Sequence, residues 1–194
     1  GPKGDTGEDG LPGQDGEDGV STIDVDDPGA ASGVVATIDS VEIASPAVIH
    51  FSVTNTIGTG ISGIGRLWED SNRFVRFTIS KLVPGENGDP DSWVTYTRRT
   101  VNDGATGPNY DSGASLVDNG DGTYVMTLNT DPTAVSGIAW EPNLTTRVAG
   151  QIGSSSENLE AVNMVYDYVP AGGAVTRTHQ VAATASCNEC HDKL

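Results

Sequence analysis

Beyond residue 33, apolar and polar side chains alternate in short runs. Within 47–54, Ile49, Phe51 and Val53 share one side of an extended chain and Val48, His50 and Ser52 the other, the period of two of a half-buried strand. Segment 74–83 repeats the pattern, with Phe77, Ile79 and, less strongly, Val75 as its inward set. Segments 34–38, 41–43, 93–97, 115–117, 123–128, 145–152 and 163–169 are rich in the β-branched and aromatic residues that strands favour. Turn chemistry separates them at Ser45-Pro46, from Pro84 to Pro90, and at Pro170-Ala171-Gly172-Gly173. Asp118-Asn119-Gly120-Asp121-Gly122 reads as a hairpin turn, because Asn and Gly tolerate positive φ. Its carboxylates stand three apart with no closing Glu, which does not fit a calcium loop. A short helical turn is expected at 157–161, and no long amphipathic pattern occurs. About seven or eight short strands with frequent turns predict an all-β fold, a sandwich or barrel of Greek-key type.

Residues 1–30 are of another kind. Glycine stands at 1, 4, 7, 10, 13, 16 and 19, the G-x-y period of a collagen triple helix, whose axis admits only glycine. Yet the stretch is short, holds only Pro2 and Pro12, and carries Asp5, Glu8, Asp9, Asp15, Glu17 and Asp18, so that three such strands would repel one another. Residues 1–19 read as a disordered, solvated spacer, about 60 Å long if extended at about 3.1 Å per residue. Asp24, Asp26, Asp27 and Pro28 continue that character. The expected division is a spacer over 1–30, a β-domain over 31–180 and a further segment beginning at 181.

A chain of 194 residues has room for one domain of about 150 residues plus tails. Such a domain buries roughly 68–70% of its unfolded surface and needs no staples. The net charge is −17 and the isoelectric point is near 4.2. Ten Lys and Arg against 27 acids leave too few cations to neutralise the phosphates of a nucleic acid or to dock on anionic lipid. No apolar run reaches the roughly 18 residues of a membrane-spanning helix. No secretory leader is visible, and the chain opens inside the glycine repeat, as a processed or trimmed chain would. Three histidines without a paired nucleophile offer no hydrolytic triad.

The distinctive chemistry lies at the other end. Cys187-Asn188-Glu189-Cys190-His191 is C-x-x-C-H, the attachment pattern of a c-type haem. Two thiols at that spacing can each form a thioether with one vinyl group of the haem, and the adjoining imidazole is then placed to ligate the iron. These are the only two cysteines of the chain. The pair could instead be a thioredoxin-type dithiol, half a zinc site or a plain disulfide. A dithiol motif would favour Pro or Gly where Asn188 and Glu189 stand, and zinc would need a second ligand pair that the sequence lacks. Haem c is the favoured cofactor, with Cys187 and Cys190 as its anchors and His191 as the proximal iron ligand.

The order of segments also resembles a known family. Ser45-Pro46-Ala47-Val48 leads to Phe51-Ser52-Val53-Thr54, followed by the run from Arg76 to Gly85 and by Gly88-Asp89-Pro90-Asp91-Ser92-Trp93. Then come the run from Leu116 to Tyr124, Leu144-Thr145-Thr146-Arg147-Val148, Tyr166-Asp167-Tyr168-Val169-Pro170, and the stretch from Ala185 to Leu194. In this order, over residues 33–194, they resemble the first domain of the outer-membrane decahaem c-type cytochromes of the OmcA/MtrC type and the start of its haem domain. The resemblance implies split-barrel domains alternating with haem-packed domains. It implies an exported protein, matured in the periplasm and anchored at the outer-membrane surface. It implies an electron carrier rather than an enzyme, passing electrons to extracellular minerals, flavins or partner cytochromes. Its expected partners are other cytochromes or a porin–cytochrome complex, with haem stacking between neighbouring subunits. The glycine-triplet tail would then space the barrel from its anchor, although no lipidated cysteine is present.

The departures are equally specific. One C-x-x-C-H stands where the family carries a series, and the family's H-G-G-type segment is absent. The chain is therefore either a one-haem variant or, as expected here, a piece of a longer cytochrome with further haems. Bis-histidine ligation, implied by the resemblance, leaves His179 and His50 as candidate distal ligands, each otherwise a solvated surface histidine. A ligand from sequence outside the chain, or from a neighbouring subunit, is equally open. Met126 and Met164 read as core residues. The alternative function is a cell-surface β-sandwich, a binding or structural module with a structural cysteine pair. That would account for the acidic surface and spacer but not for C-x-x-C-H.

Overall fold

The computed structural model describes residues 1, 22–27, 33–70, 74–100, 104–153, 159 and 161–179. In chain order these form β1 (Thr22–Asp24), β2 (Val35–Glu42), β3 (Val48–Thr54), β4 (Gly60–Ser62), α1 (Ile64–Asp70), β5 (Val75–Val83) and β6 (Ser92–Thr95). They continue with β7 (Arg98–Thr100), β8 (Thr106–Pro108), β9 (Ser115–Asp118), β10 (Thr123–Thr127), β11 (Thr146–Ile152) and β12 (Val162–Tyr168). One sheet of six strands runs β1-β4-β3-β10-β9, with β2 also paired to β3. A second, of four, runs β12-β11-β5-β6, and β7 and β8 form a separate ribbon. Every pairing is antiparallel except β1 with β4.

The period of two makes each sheet one-sided. In β3, Ile49, Phe51 and Val53 are fully buried, and in β11 Val148 and Ile152 are. These sets face each other across a single core. The Phe51 ring lies 5.3 Å from Phe77 of the opposite sheet and 5.1 Å from Tyr124 of its own. Phe77 sits directly opposite Gly150 in the β5–β11 ladder. A Cβ at Gly150 would lie 2.4 Å from the Phe77 ring, so the ring packs on bare backbone there. The result is the expected all-β sandwich.

Three details differ from the sequence reading. Twelve strands replace seven or eight, because β1, β4, β7 and β8 have only three residues each, too few to show a period. Residues 22–27, assigned to the spacer, are part of the domain. Val25 is buried, and Arg66 holds Asp24 at 2.6 Å and Asp26 at 3.0 Å, drawing two of the acids onto the fold. The glycine-rich stretch near residue 65 holds α1. Amides at its start, on Gly63 just before the helix and on Gly65 within it, donate to Asp118 Oδ2 at 2.9 and 3.1 Å, a cap supplied from fifty-odd positions away.

The hairpin turn before β10 is as expected, with Gly120 and Gly122 at φ of 80° and 89°. Its carboxylates serve the backbone. Asp118 Oδ1 accepts from the Gly120 amide, and Asp121 Oδ1 accepts from the amide and hydroxyl of Thr123. The glycine-triplet repeat lies outside the described residues, as does the 157–161 turn apart from Leu159 and Ala161. Among the described residues, no helix is long and apolar enough to cross a membrane.

Candidate functional site

Cys187, Cys190 and His191 lie outside the described residues, and the structure describes the path that leads toward them. After β12 the chain turns at 170–173, where the Ala171 amide donates to the Pro142 carbonyl at 2.9 Å. It then passes over the outer face of the four-stranded sheet. Leu82 marks the crossing. It alternates with the inward residues Ile79 and Lys81, so it points outward, and yet it is 1% exposed. Thr145, Ala174 and Arg177 line the same cleft as Leu82.

From Arg177 to His179 each residue is held. Thr145 Oγ1 donates to the Arg177 carbonyl at 2.7 Å, and Arg177 pairs with Asp91 at 3.0 Å. Thr178 Oγ1 donates to Asp167 Oδ2 at 2.8 Å. The His179 carbonyl accepts from Trp93 Nε1 at 2.8 Å and from Arg147 Nη1 at 3.3 Å. Arg147 is the centre of this clamp. Its guanidinium donates to both oxygens of Asp167 at 2.7 Å and lies 4.3 Å above the Trp93 ring. A planar fork suits a carboxylate and an aromatic face together, which an ammonium cannot match. Burial pushes the Asp167 carboxyl up, but hydrogen bonds from Arg147 and Thr178 outweigh it, and the net shift is below the usual carboxylate range.

The clamp sets the point from which the segment carrying C-x-x-C-H departs. Cys187 is eight positions past His179 and so lies at most about 28 Å away, at about 3.3–3.6 Å per residue. The donor set that the sequence carries, two thiols and an adjoining imidazole, fits haem c. Among the described residues, no group of three His, Cys, Asp or Glu could hold a bare metal ion.

The two remaining histidines are not brought together. His50 lies on the outer face of the six-stranded sheet, opposite Ser40 and Val125 in the ladders and 3.8 Å from Glu42 Oε1. His179 lies on the outer face of the other sheet, and the core stands between them. Met126 and Met164 are buried core residues, as expected. The sequence reading missed the clamp. Arg147 and Asp167 are opposite charges at outward positions of consecutive strands, and the register of that pair would have matched them. Trp93 and Thr178 come from distant segments and left no such trace.

A β-sandwich whose chain leads into C-x-x-C-H has the layout of a c-type cytochrome's β-domain. No family model matches the chain. It is 27% identical over 154 residues to the multihaem cytochrome MtrC of Shewanella baltica (strain OS185), a match that takes in 75% of this chain and 22% of that protein. The crystal structure of MtrC from that strain superposes on 82% of the chain with a TM-score of 0.59 and 25% identity, over 26% of its own length. That of the outer membrane decahaem cytochrome OmcA superposes on 87% with a TM-score of 0.64 and 21% identity, over 27% of its length. Likeness in sequence and likeness in fold coincide on the OmcA/MtrC-type decahaem cytochromes, to which this chain is similar. It spans about a fifth to a quarter of the length of these relatives.

Proposed function

We propose that this chain is part of a multihaem c-type cytochrome that carries electrons at the outer surface of the cell. The observation behind this reading is the meeting, in one chain, of the C-x-x-C-H donor set with a β-domain of the OmcA/MtrC fold. Cys187 and Cys190 would hold the haem through two thioethers, each the sum of a thiol S–H and a vinyl double bond, so that nothing leaves and no oxidant is needed. His191 would ligate the iron, and of the two remaining histidines His179, on the face that the chain crosses, is the candidate within this chain for a second ligand. When bound, the haem supplies a one-electron ferric/ferrous couple. The clamp around Arg147 fixes the β-domain end of the segment that carries these ligands, and so limits where they can lie. The chain is a carrier: one electron enters from a partner cytochrome and one leaves to an extracellular acceptor, a mineral, a flavin or a further cytochrome. Export and periplasmic maturation follow from that role, as does docking on other cytochromes or a porin–cytochrome complex.

The test is covalent haem. The full chain, expressed with the cytochrome c maturation machinery, should give a haem-staining band on a denaturing gel and a Soret band that survives acid-acetone extraction. Replacing both Cys187 and Cys190 by Ala should abolish both signals. A colourless chain under these conditions would point to the other class, a surface β-sandwich with a structural cysteine pair.

A further inference from the structure

The outer face of the four-stranded sheet continues beyond the clamp toward Arg76, opposite Gln151 in the ladder. Arg76, Thr78, Ala149, Gln151 and Asn163 line an open groove of about 270 Å³ there, and Val165 beside Ala149 is 60% exposed. Arg66, Lys81, Arg147 and Arg177 each hold a carboxylate. Arg76 has no such partner among the described residues. Its guanidinium lies 5.4 Å from the Tyr110 ring, and its buried Nε makes no hydrogen bond there. No carboxylate among the described residues meets this guanidinium, whose planar fork of donors suits one.

We propose that the outer face of the four-stranded sheet is the seat of residues 180–194 and the haem they carry, with Arg76 accepting a carboxylate partner from that segment or its haem. This rests on the haem reading above. Three observations select this occupant. The chain already crosses this face over Leu82 and is gripped on it at His179, one residue before the segment begins. Arg147 and Gln151 are four strand positions apart, about 13 Å at about 3.3 Å per residue, well within reach of Cys187. Charge also matches: the segment carries Glu189 and Asp192, and a c-type haem carries two propionates. The opposite outer face presents Asp39 and Glu42 beside His50.

The test is nuclear magnetic resonance of the ¹⁵N-labelled, haem-loaded full chain, with covalent haem confirmed first by mass. Paramagnetic shifts and broadening in the ferric form, referenced to the haem-free Cys187→Ala/Cys190→Ala chain, should centre on the amides of Thr78, Ala149 and Val165. Effects centred on β2 and β3, or on neither sheet, would overturn the docking while leaving the haem reading intact. A chain that takes up no haem would overturn both. As a second measure, Arg76→Gln should raise elastase cleavage within 180–186 about two- to five-fold, the worth of one exposed ion pair, while Arg99→Gln should not. An unchanged rate for Arg76→Gln counts against the seat. If the effect persists in the haem-free chain, the partner is Glu189 or Asp192; if it needs haem, the partner is a propionate.

Discussion

On the outer face of the six-stranded sheet, the polar contacts are between strand neighbours: His50 beside Glu42, and Ser52 donating to Asp39 at 3.1 Å. On the outer face of the four-stranded sheet, Arg147 ties together residues 93, 167, 178 and 179. Both faces come from the same alternation, and both are polar in sequence. The difference lies in what crosses them. Over the four-stranded sheet the chain itself returns, and that converts outward positions into buried ones. Leu82 and Arg147 are structural there, where their counterparts across the core are solvated.

Substitutions can test that contrast, beginning with the largest effect. Leu82→Ala should cost about 2–5 kcal/mol in urea unfolding, since it empties a fully buried site. Val117→Ala, at a position of β9 that is 55% exposed, should stay within about 0.5 kcal/mol. Equal losses would erase the distinction between the faces. Arg147→Ala should cost about 1–3 kcal/mol, because it strips a half-buried Asp167 of its main partner. Arg147→Lys should not restore the stability, since an ammonium cannot form the fork and stack.

Acid offers a subtler probe. The Asp167 carboxyl is lowered in the fold relative to an unfolded value of about 3.9. Its contribution is therefore present above about pH 4 and is lost as pH falls through the lower folded value. Melting temperature measured from pH 6 downward should fall more steeply below pH 4 in the parent than in Asp167→Asn, with Asp91 and Arg177 intact in both. Parallel slopes would mean that the clamp carries no such linkage. The smallest effect should come from His50→Ala: stability within about 0.5 kcal/mol and an unchanged haem spectrum, as expected of a residue with the core between it and the clamp. A high-spin shift in that variant would place the haem on the other face.

Much of the β-architecture was legible because strands β3, β5, β10 and β11 are long enough to show their period. The three-residue strands and α1 were not, since each is stabilised by a partner remote in sequence: β1 by β4 and Arg66, α1 by Asp118. The spacer boundary failed for the same reason. Asp24 and Asp26 look like solvated acids until Arg66 is set beside them.

By itself, the sequence determined the all-β class, the inward and outward side of each long strand, and the C-x-x-C-H donor set with its spacing. These depend on local geometry: a two-residue pleat, and thiols and imidazole within five consecutive positions. Only the tertiary structure decided that His50 and His179 stand on opposite faces, that Leu82 is covered, and that Trp93, Arg147, Asp167 and Thr178 form one clamp. Those facts depend on which strands become neighbours and where the chain returns, and contacts of that range are set by packing the whole sandwich at once.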